Sequence, residues 1–140
     1  MEYKIIISNG EVLKLLINAN GNVRHIQVFN ENEEIVASAA FKIDVPTAFL
    51  NRIEIENVKY SHMGIASKLM KFIERLCMQK CCTSMEGKFY PFGELGDYAR
   101  DFYTKNGYQI YKEDYETYIY KNLDKKLLME ESEVYDERVY

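Results

Sequence analysis

Apolar and polar residues alternate in short runs through the first part of the chain: Tyr3 to Ser8, Val12 to Asn18, Val23 to Phe29 and Ile35 to Ile43. Runs of this length, punctuated by Gly, Asn and Glu clusters, predict strands joined as a meander. Asn20-Gly21 in "INANGNVRHI" and the polar middle of "VFNENEEIVA" predict hairpin turns. Pro46 sets a loop ahead of "FLNRIEIENVKY", where Ile53 and Ile55 alternate with Arg52, Glu54 and Glu56. That alternation predicts a strand with one charged face.

From Gly64 the period changes. Ile65, Leu69, Phe72, Ile73 and Leu76 recur at three and four residues, the stripe of an amphipathic helix running to about Gln79. "CCTSME" then predicts a short strand, Gly87 to Gly96 a loop, and Asp97 to Lys105 a second helix carrying Tyr98, Phe102 and Tyr103. Asn106-Gly107 ends that helix. "YQIY" and "YETYIYKNL" follow as two strands around a polar turn. Residues 1–122 therefore make one domain, a size at which a single core is comfortable, and 123–140 a charged tail, either a short peripheral helix or partly disordered.

Composition narrows the class. The chain is 47% hydrophobic and 29% charged, with a net charge of −4, so it is a globular protein without global attraction for nucleic acid. The apolar triplet Ile5 to Ile7 is too short for a signal-peptide core or a membrane span, and a cytoplasmic protein is expected. Cys77, Cys81 and Cys82 are an odd count in one segment, a poor disulfide framework, and are expected as reduced, buried small residues. The two histidines, His25 and His62, do not form a ligand-spaced pair with them, so no metal is expected. Eight of the 12 tyrosines lie between Tyr90 and Tyr120, enough to build either a Tyr-rich sheet and helix or a pocket wall with hydroxyl donors.

The junction "KYSHMGIASKLMKF" carries the chemistry. A strand, a short turn holding Gly64 and a helix start form the geometry in which backbone N–H groups and the helix dipole converge on an anion. Gly64 and Ala66 would let those amides approach it closely. The stretch lacks both the G-x-x-x-x-G-K-[ST] pattern and the glycine spacing of a dinucleotide fingerprint. By itself, one glycine ahead of a helix is equally an ordinary turn.

Three features together resemble the GNAT N-acetyltransferase superfamily across about residues 23–122. "IEIENVKYSHMGIASKLMKFIE" is similar to that family's strand, pyrophosphate loop and helix, with its [QR]-x-x-G-x-[GA] pattern falling on Ser61, Gly64 and Ala66. "ARDFYTKNGYQIY" is similar to its A-x-x-[apolar]-Y-x-x-x-G-[FY] segment, on Ala99, Phe102, Tyr103, Gly107 and Tyr108. The order of elements is the third. Ser61 and His62 depart from the usual Gln or Arg and Gly, and Gly96 stands where a coenzyme-contacting Asn is common. The family's N-terminal helix pair is not apparent, so the acceptor side is expected to be open or closed by a partner.

The resemblance implies a mixed α+β (α/β) fold, a largely antiparallel twisted sheet of six to seven strands with two main helices. It implies acetyl-CoA as cosubstrate, without a metal, and direct acyl transfer to a primary amine on a small molecule, a protein lysine or an N-terminus. Ile55, Asn57, Val58, Met63, Gly64, Ile65, Ala66 and Ser67 are the residues it assigns to the coenzyme. Tyr103 is the acid for the leaving thiolate, competing with a core-packing role; Glu54 and Glu56 are the candidate bases, competing with solvated charges on a strand. The acidic balance suits a cationic acceptor, and a homodimer is compatible with the sequence. Two other readings stand beside this one: a CoA-binding module with weak or lost catalysis acting through protein partners, and a tyrosine-rich interaction domain with no coenzyme site.

Overall fold

The computed structural model describes residues 2–123 and 134–136 of the 140. Four strands open the chain as an antiparallel meander: β1 (Glu2–Ile6), β2 (Val12–Asn20), β3 (Val23–Phe29) and β4 (Ile35–Asp44). The expected turns close two of these hairpins. Gly21 takes a positive φ of 63° between β2 and β3, a conformation open to glycine at little cost. Between β3 and β4 the Asn30 side-chain oxygen accepts from the backbone N–H groups of Asn32 and Glu34, the local bonding that makes Asn a turn residue.

β5 (Thr47–Ile55) returns along β4, and a single 3₁₀ turn (Val58–Tyr60) leads into α1 (Ile65–Gln79). β6 (Ser84–Phe89) pairs with β5 in parallel, which needs the helical crossover that α1 supplies. α2 (Gly93–Lys105) is followed by the hairpin of β7 (Gln109–Glu113) and β8 (Glu116–Asn122), and β8 docks antiparallel on β6. Val134–Asp136 form β9 against β1. The sheet order is β7-β8-β6-β5-β4-β3-β2-β1-β9, with β5–β6 as its parallel pair.

The mixed α+β architecture and largely antiparallel sheet are as expected, but the described residues alone put nine strands in the sheet rather than six to seven. Three boundaries also move. Thr47 directly after the Pro46 turn already belongs to β5, β6 runs on through Gly87 to Phe89, and α2 starts at Gly93 rather than Asp97. The 87–96 stretch expected as a loop is therefore mostly strand and helix. Its break is narrow because Gly96 lies on Pro91, where a Cβ would come 2.3 Å from the Pro91 carbonyl carbon. In the tail, Val134–Asp136 are an edge strand; the remainder of the expected peripheral helix or disorder lies outside the described residues.

Cross-strand register sorts the sheet into two faces. Ala37, Ala39 and Phe41 of β4 pair with Ile55, Ile53 and Leu50 of β5 on one face, beside Ile26 and Val28 of β3. These residues join Ile65, Leu69, Met70 and Ile73 of α1 and Tyr103 of α2 in one core, so both helices lie on this face. The other face carries His25, Gln27, Ser38, Arg52 and Glu54, and no helix among the described residues covers it. Behind the core, Glu74 of α1 is 1% exposed yet charge-paired, accepting from Lys121 Nζ at 2.9 Å and from the Tyr108 hydroxyl at 2.6 Å. Lys121 also donates to the Asn106 carbonyl at 2.9 Å, and Asn106 Nδ2 to Ser67 Oγ at 3.2 Å, so β8, the end of α2 and the start of α1 are tied together.

Candidate functional site

The parallel pair comes apart halfway. β5 and β6 are matched from Thr47/Ser84 to Leu50/Gly87 and no further, although β5 continues to Ile55 and β6 to Phe89. The cause lies on the β4 side of β5. Ala40 pairs with Arg52 and Phe41 with Leu50, leaving Asn51 as an extra residue. A bulge of this kind bends its strand and ends pairing beyond it. A gap therefore opens between the C-terminal halves of two parallel strands, where open α/β sheets take their ligands.

Among the described residues no strand pairs with the outer half of β5 on the side of the gap, which leaves a backbone edge there. The N–H groups of Glu56 and Asn57 are both taken by the Val36 carbonyl, at 2.8 and 3.3 Å. Backbone groups alternate in direction along a strand, so those of Ile55 and Ile53 turn from β4 toward the gap. An extended ligand arm can pair there as an added strand would. Asn57 serves the chain itself: its side chain caps the 3₁₀ turn by accepting from the Lys59 N–H at 3.0 Å. Val58 beside it is 84% exposed.

The loop from Ser61 to Gly64 lifts the chain off the end of β5 and onto α1. His62 and Gly64 both take left-handed backbone conformations, φ 63° and 78°. The first helical bond runs from the Lys68 N–H to the Gly64 carbonyl at 3.1 Å, and no side chain caps the helix. Consequently the N–H groups of Met63, Gly64, Ile65, Ala66 and Ser67 find no acceptor among the described residues. Unpaired amides at the positive end of a helix dipole bind an anionic group. A Cβ on Gly64 would meet nothing within 4 Å, so the chain is uncovered at this point of the loop. His62 is held aside by Tyr98 of α2, its Nε2 lying 3.3 Å from the tyrosine hydroxyl.

Tyr103 stands on the helix side of the gap. Its ring is packed by Phe89 at the end of β6 (5.5 Å between centroids), by Phe102 and by Tyr108. The ring is core, 7% exposed, in keeping with the packing role, and the hydroxyl has no hydrogen-bond partner among the described residues. Burial pushes the Tyr103 phenol up to about 12, so it stays protonated through the physiological range.

On the bare side Glu54 and Glu56 flank Arg52. The Arg52 guanidinium donates to Ser38 Oγ at 2.6 Å, Ser38 Oγ donates to Glu56 Oε1 at 2.9 Å, and Arg52 Nη1 is 4.0 Å from both carboxylates. Ser38 is 2% exposed, so it orients Glu56 from within the sheet. Arg52 and Glu56 sit in an open groove of about 380 Å³ with Asn18, His25, Gln27, Ile35 and Ser38. Tyr103 and the carboxylates therefore lie on opposite faces of the sheet, with the gap between them.

Several of these parts escaped the sequence. Asn51 carries no signature of a bulge, Ser38 sits in an apolar run, and Arg52 reads only as one charge on a charged face. The cysteines are free, but Cys81 is exposed rather than buried. Among the described residues no group of three or more His, Cys, Asp or Glu is arranged to hold a metal ion, and no helix is long and apolar enough to cross a membrane.

No protein-family model matches the chain, and no curated protein matches it in sequence. Solved structures match its fold. The GNAT domain of S. lividans PAT superposes with a TM-score of 0.71 at 9% identity, covering 87% of this chain and 97% of that one. A GNAT-family acetyltransferase from Staphylococcus aureus Mu50 gives 0.63 at 18% identity, covering 75% and 71%. The PaiA N-acetyltransferase of Thermoplasma acidophilum, solved in complex with coenzyme A, gives 0.63 at 18%, covering 72% of this chain and 61% of that one. The fold is that of the GNAT acetyltransferases.

Proposed function

We propose that this chain is an N-acetyltransferase that moves an acetyl group directly from acetyl-CoA to a primary amine. The observation that carries this reading is the row of five unpaired amides, Met63 to Ser67, at the start of α1 beside a gap between β5 and β6. Diphosphate oxygens suit those amides, and the amide-bearing pantetheine arm suits the free edge of Ile53 and Ile55. Acetyl-CoA supplies an activated thioester.

The chain's own side chains supply the proton transfers. A lysine-like amine with a pKa near ~10.4 is neutral only about once in ~10³ at neutral pH, so a base that takes its proton is worth a few kcal/mol. Glu56, oriented by Ser38, is the better held of the two carboxylates, and Glu54 is the more exposed. The carboxylate first takes one proton from the ammonium and passes it to solvent. As the N–C bond forms and the C–S bond breaks, the second N–H proton passes to the carboxylate, the Tyr103 hydroxyl protonates the departing sulfur, and solvent returns a proton to the phenolate. Tyr103 suits this task because its proton is committed to no other acceptor among the described residues. Three free cysteines fit a reducing, cytoplasmic setting.

Titration with CoA tests the reading at its foundation. Binding should raise the melting temperature by mass action, and the rise that a given CoA concentration produces should be smaller in folded Gly64→Val than in the native protein. A chain whose melting temperature is indifferent to millimolar CoA does not have this function.

A further inference from the structure

The groove beside Glu56 has a composition that selects among amines. A site for a polyamine or a lysine side chain needs negative charge and no fixed cation, yet this groove has a guanidinium in its wall. Arg52 uses one of its nitrogens, Nη1, for Ser38 and stands at 4.0 Å from Glu54 and Glu56, too long for a hydrogen bond to either. Guanidinium carries five N–H donors. The fork formed by Nε and Nη2 has no acceptor among the described residues. The side chain is 42% exposed and lines the groove, so a ligand in the groove can reach it. Carboxylate is the anion whose two oxygens match it.

Charge complementarity then fixes the occupant. A cationic group lies 4.0 Å from Glu56, and equally from Glu54 at its edge, in a groove otherwise lined by the neutral amides Asn18 and Gln27, the His25 imidazole, Ser38 and the apolar Ile26 and Ile35. The matching ligand carries an ammonium and a carboxylate on one carbon. Resting on the acetyltransferase reading above, we propose that the acceptor is a free α-amino acid, its carboxylate held by the Arg52 fork and its amine set against Glu56. The amine is thereby placed at the carboxylate that takes its proton. Protein lysines, polyamines and aminoglycosides have no carboxylate beside the reacting amine and gain nothing from Arg52.

The test compares L-alanine, L-leucine and L-phenylalanine with ethylamine, isopentylamine and phenethylamine, the same molecules without the carboxylate. Thiol release from acetyl-CoA gives KM for each. The amino acid should have the lower KM in every pair by at least about tenfold, the affinity that a charge-assisted hydrogen-bonded contact supplies. Arg52→Gln should erase the difference within each pair, and Arg52→Lys should restore part of it, having the charge without the fork. Equal KM values in the native protein, or a preference that survives Arg52→Gln, overturn the proposal. If no amine releases thiol, the acetyltransferase reading fails separately, and direct calorimetric titration of the same pairs decides the groove. Binding of the amino acids that Arg52→Gln abolishes upholds the site; no binding, or binding indifferent to that substitution, overturns it. Circular dichroism of both variants separates loss of the fork from loss of the fold.

Discussion

Leu50 and Gly87 are the last matched residues of the parallel pair, and they touch: a Cβ on Gly87 would lie 2.9 Å from the Leu50 carbonyl oxygen and 3.2 Å from the Ile119 side chain. The gap begins where the strands are closest. Glycine lets β6 approach β5 at this point, and the bulge at Asn51 bends β5 away one residue later.

Gly87→Ala should therefore push against backbone rather than a flexible side chain. We expect a loss of about 1–3 kcal/mol in urea unfolding, the range for overpacking a well-filled site. CoA affinity should fall as well, since the point from which the gap opens is displaced. Calorimetric titration of the folded variant checks this, and unchanged affinity would show that the gap is not the coenzyme's path.

At the helix start, strain and binding can be separated. Gly64 holds φ 78° over open space, so Gly64→Ala meets a conformational cost of about 1 kcal/mol and no clash. Gly64→Val adds bulk within the row of amides. The β-branched valine should lose more stability than the alanine at this positive φ, and among protein that remains folded only the valine should markedly weaken CoA binding. Thermal melts with and without CoA measure the two losses together.

Burial holds the Tyr103 phenol at about 12, above its ordinary 10.0, because the phenolate is costly to form there. The folded state then binds the proton more tightly than the unfolded chain. This contribution is fully present below about pH 10 and is lost as pH rises from 10 toward 12, an effect of about 3 kcal/mol at its limit. Tyr103→Phe should flatten that part of the stability profile. The same variant should bind CoA normally and turn over at least about 10²-fold more slowly, the lower range for a general acid. Denaturant unfolding from pH 8 to 11 and steady-state kinetics read the two effects independently.

The pair behind the core is a hostage to its partner. Lys121→Met leaves Glu74, 1% exposed, with the Tyr108 hydroxyl alone. Removing one member of a buried ion pair costs about 3–5 kcal/mol, and because the Lys121 side chain is 19% exposed the lower end is expected in urea unfolding at pH 7. Glu74→Gln in the same background should recover part of it.

The parts of this fold set by local pattern were legible in advance. The meander, its two hairpin turns, α1 and the final hairpin each follow from periodicity and turn chemistry in a few consecutive residues. What escaped depends on residues far apart in the chain. Gly87 looks like a loop glycine until Leu50 is set against it, Asn51 becomes a bulge only through the register of β4, and the β1–β9 pairing joins Tyr3 to Asp136. The site divides along the same line. Gly64 and Tyr103 stood out through their motifs, whereas Ser38 and Arg52 acquire a role only when β4 and β5 bring them to Glu56.

The most direct trial of the central claim is mass spectrometry of an amine panel incubated with acetyl-CoA and the purified protein, with thiol release followed in parallel. The predicted result is an N-acetylated product formed in step with thiol and lost together with it in Tyr103→Phe. Thiol release without any acetylated amine, or no thiol release across the panel from a protein that binds CoA, would contradict the account.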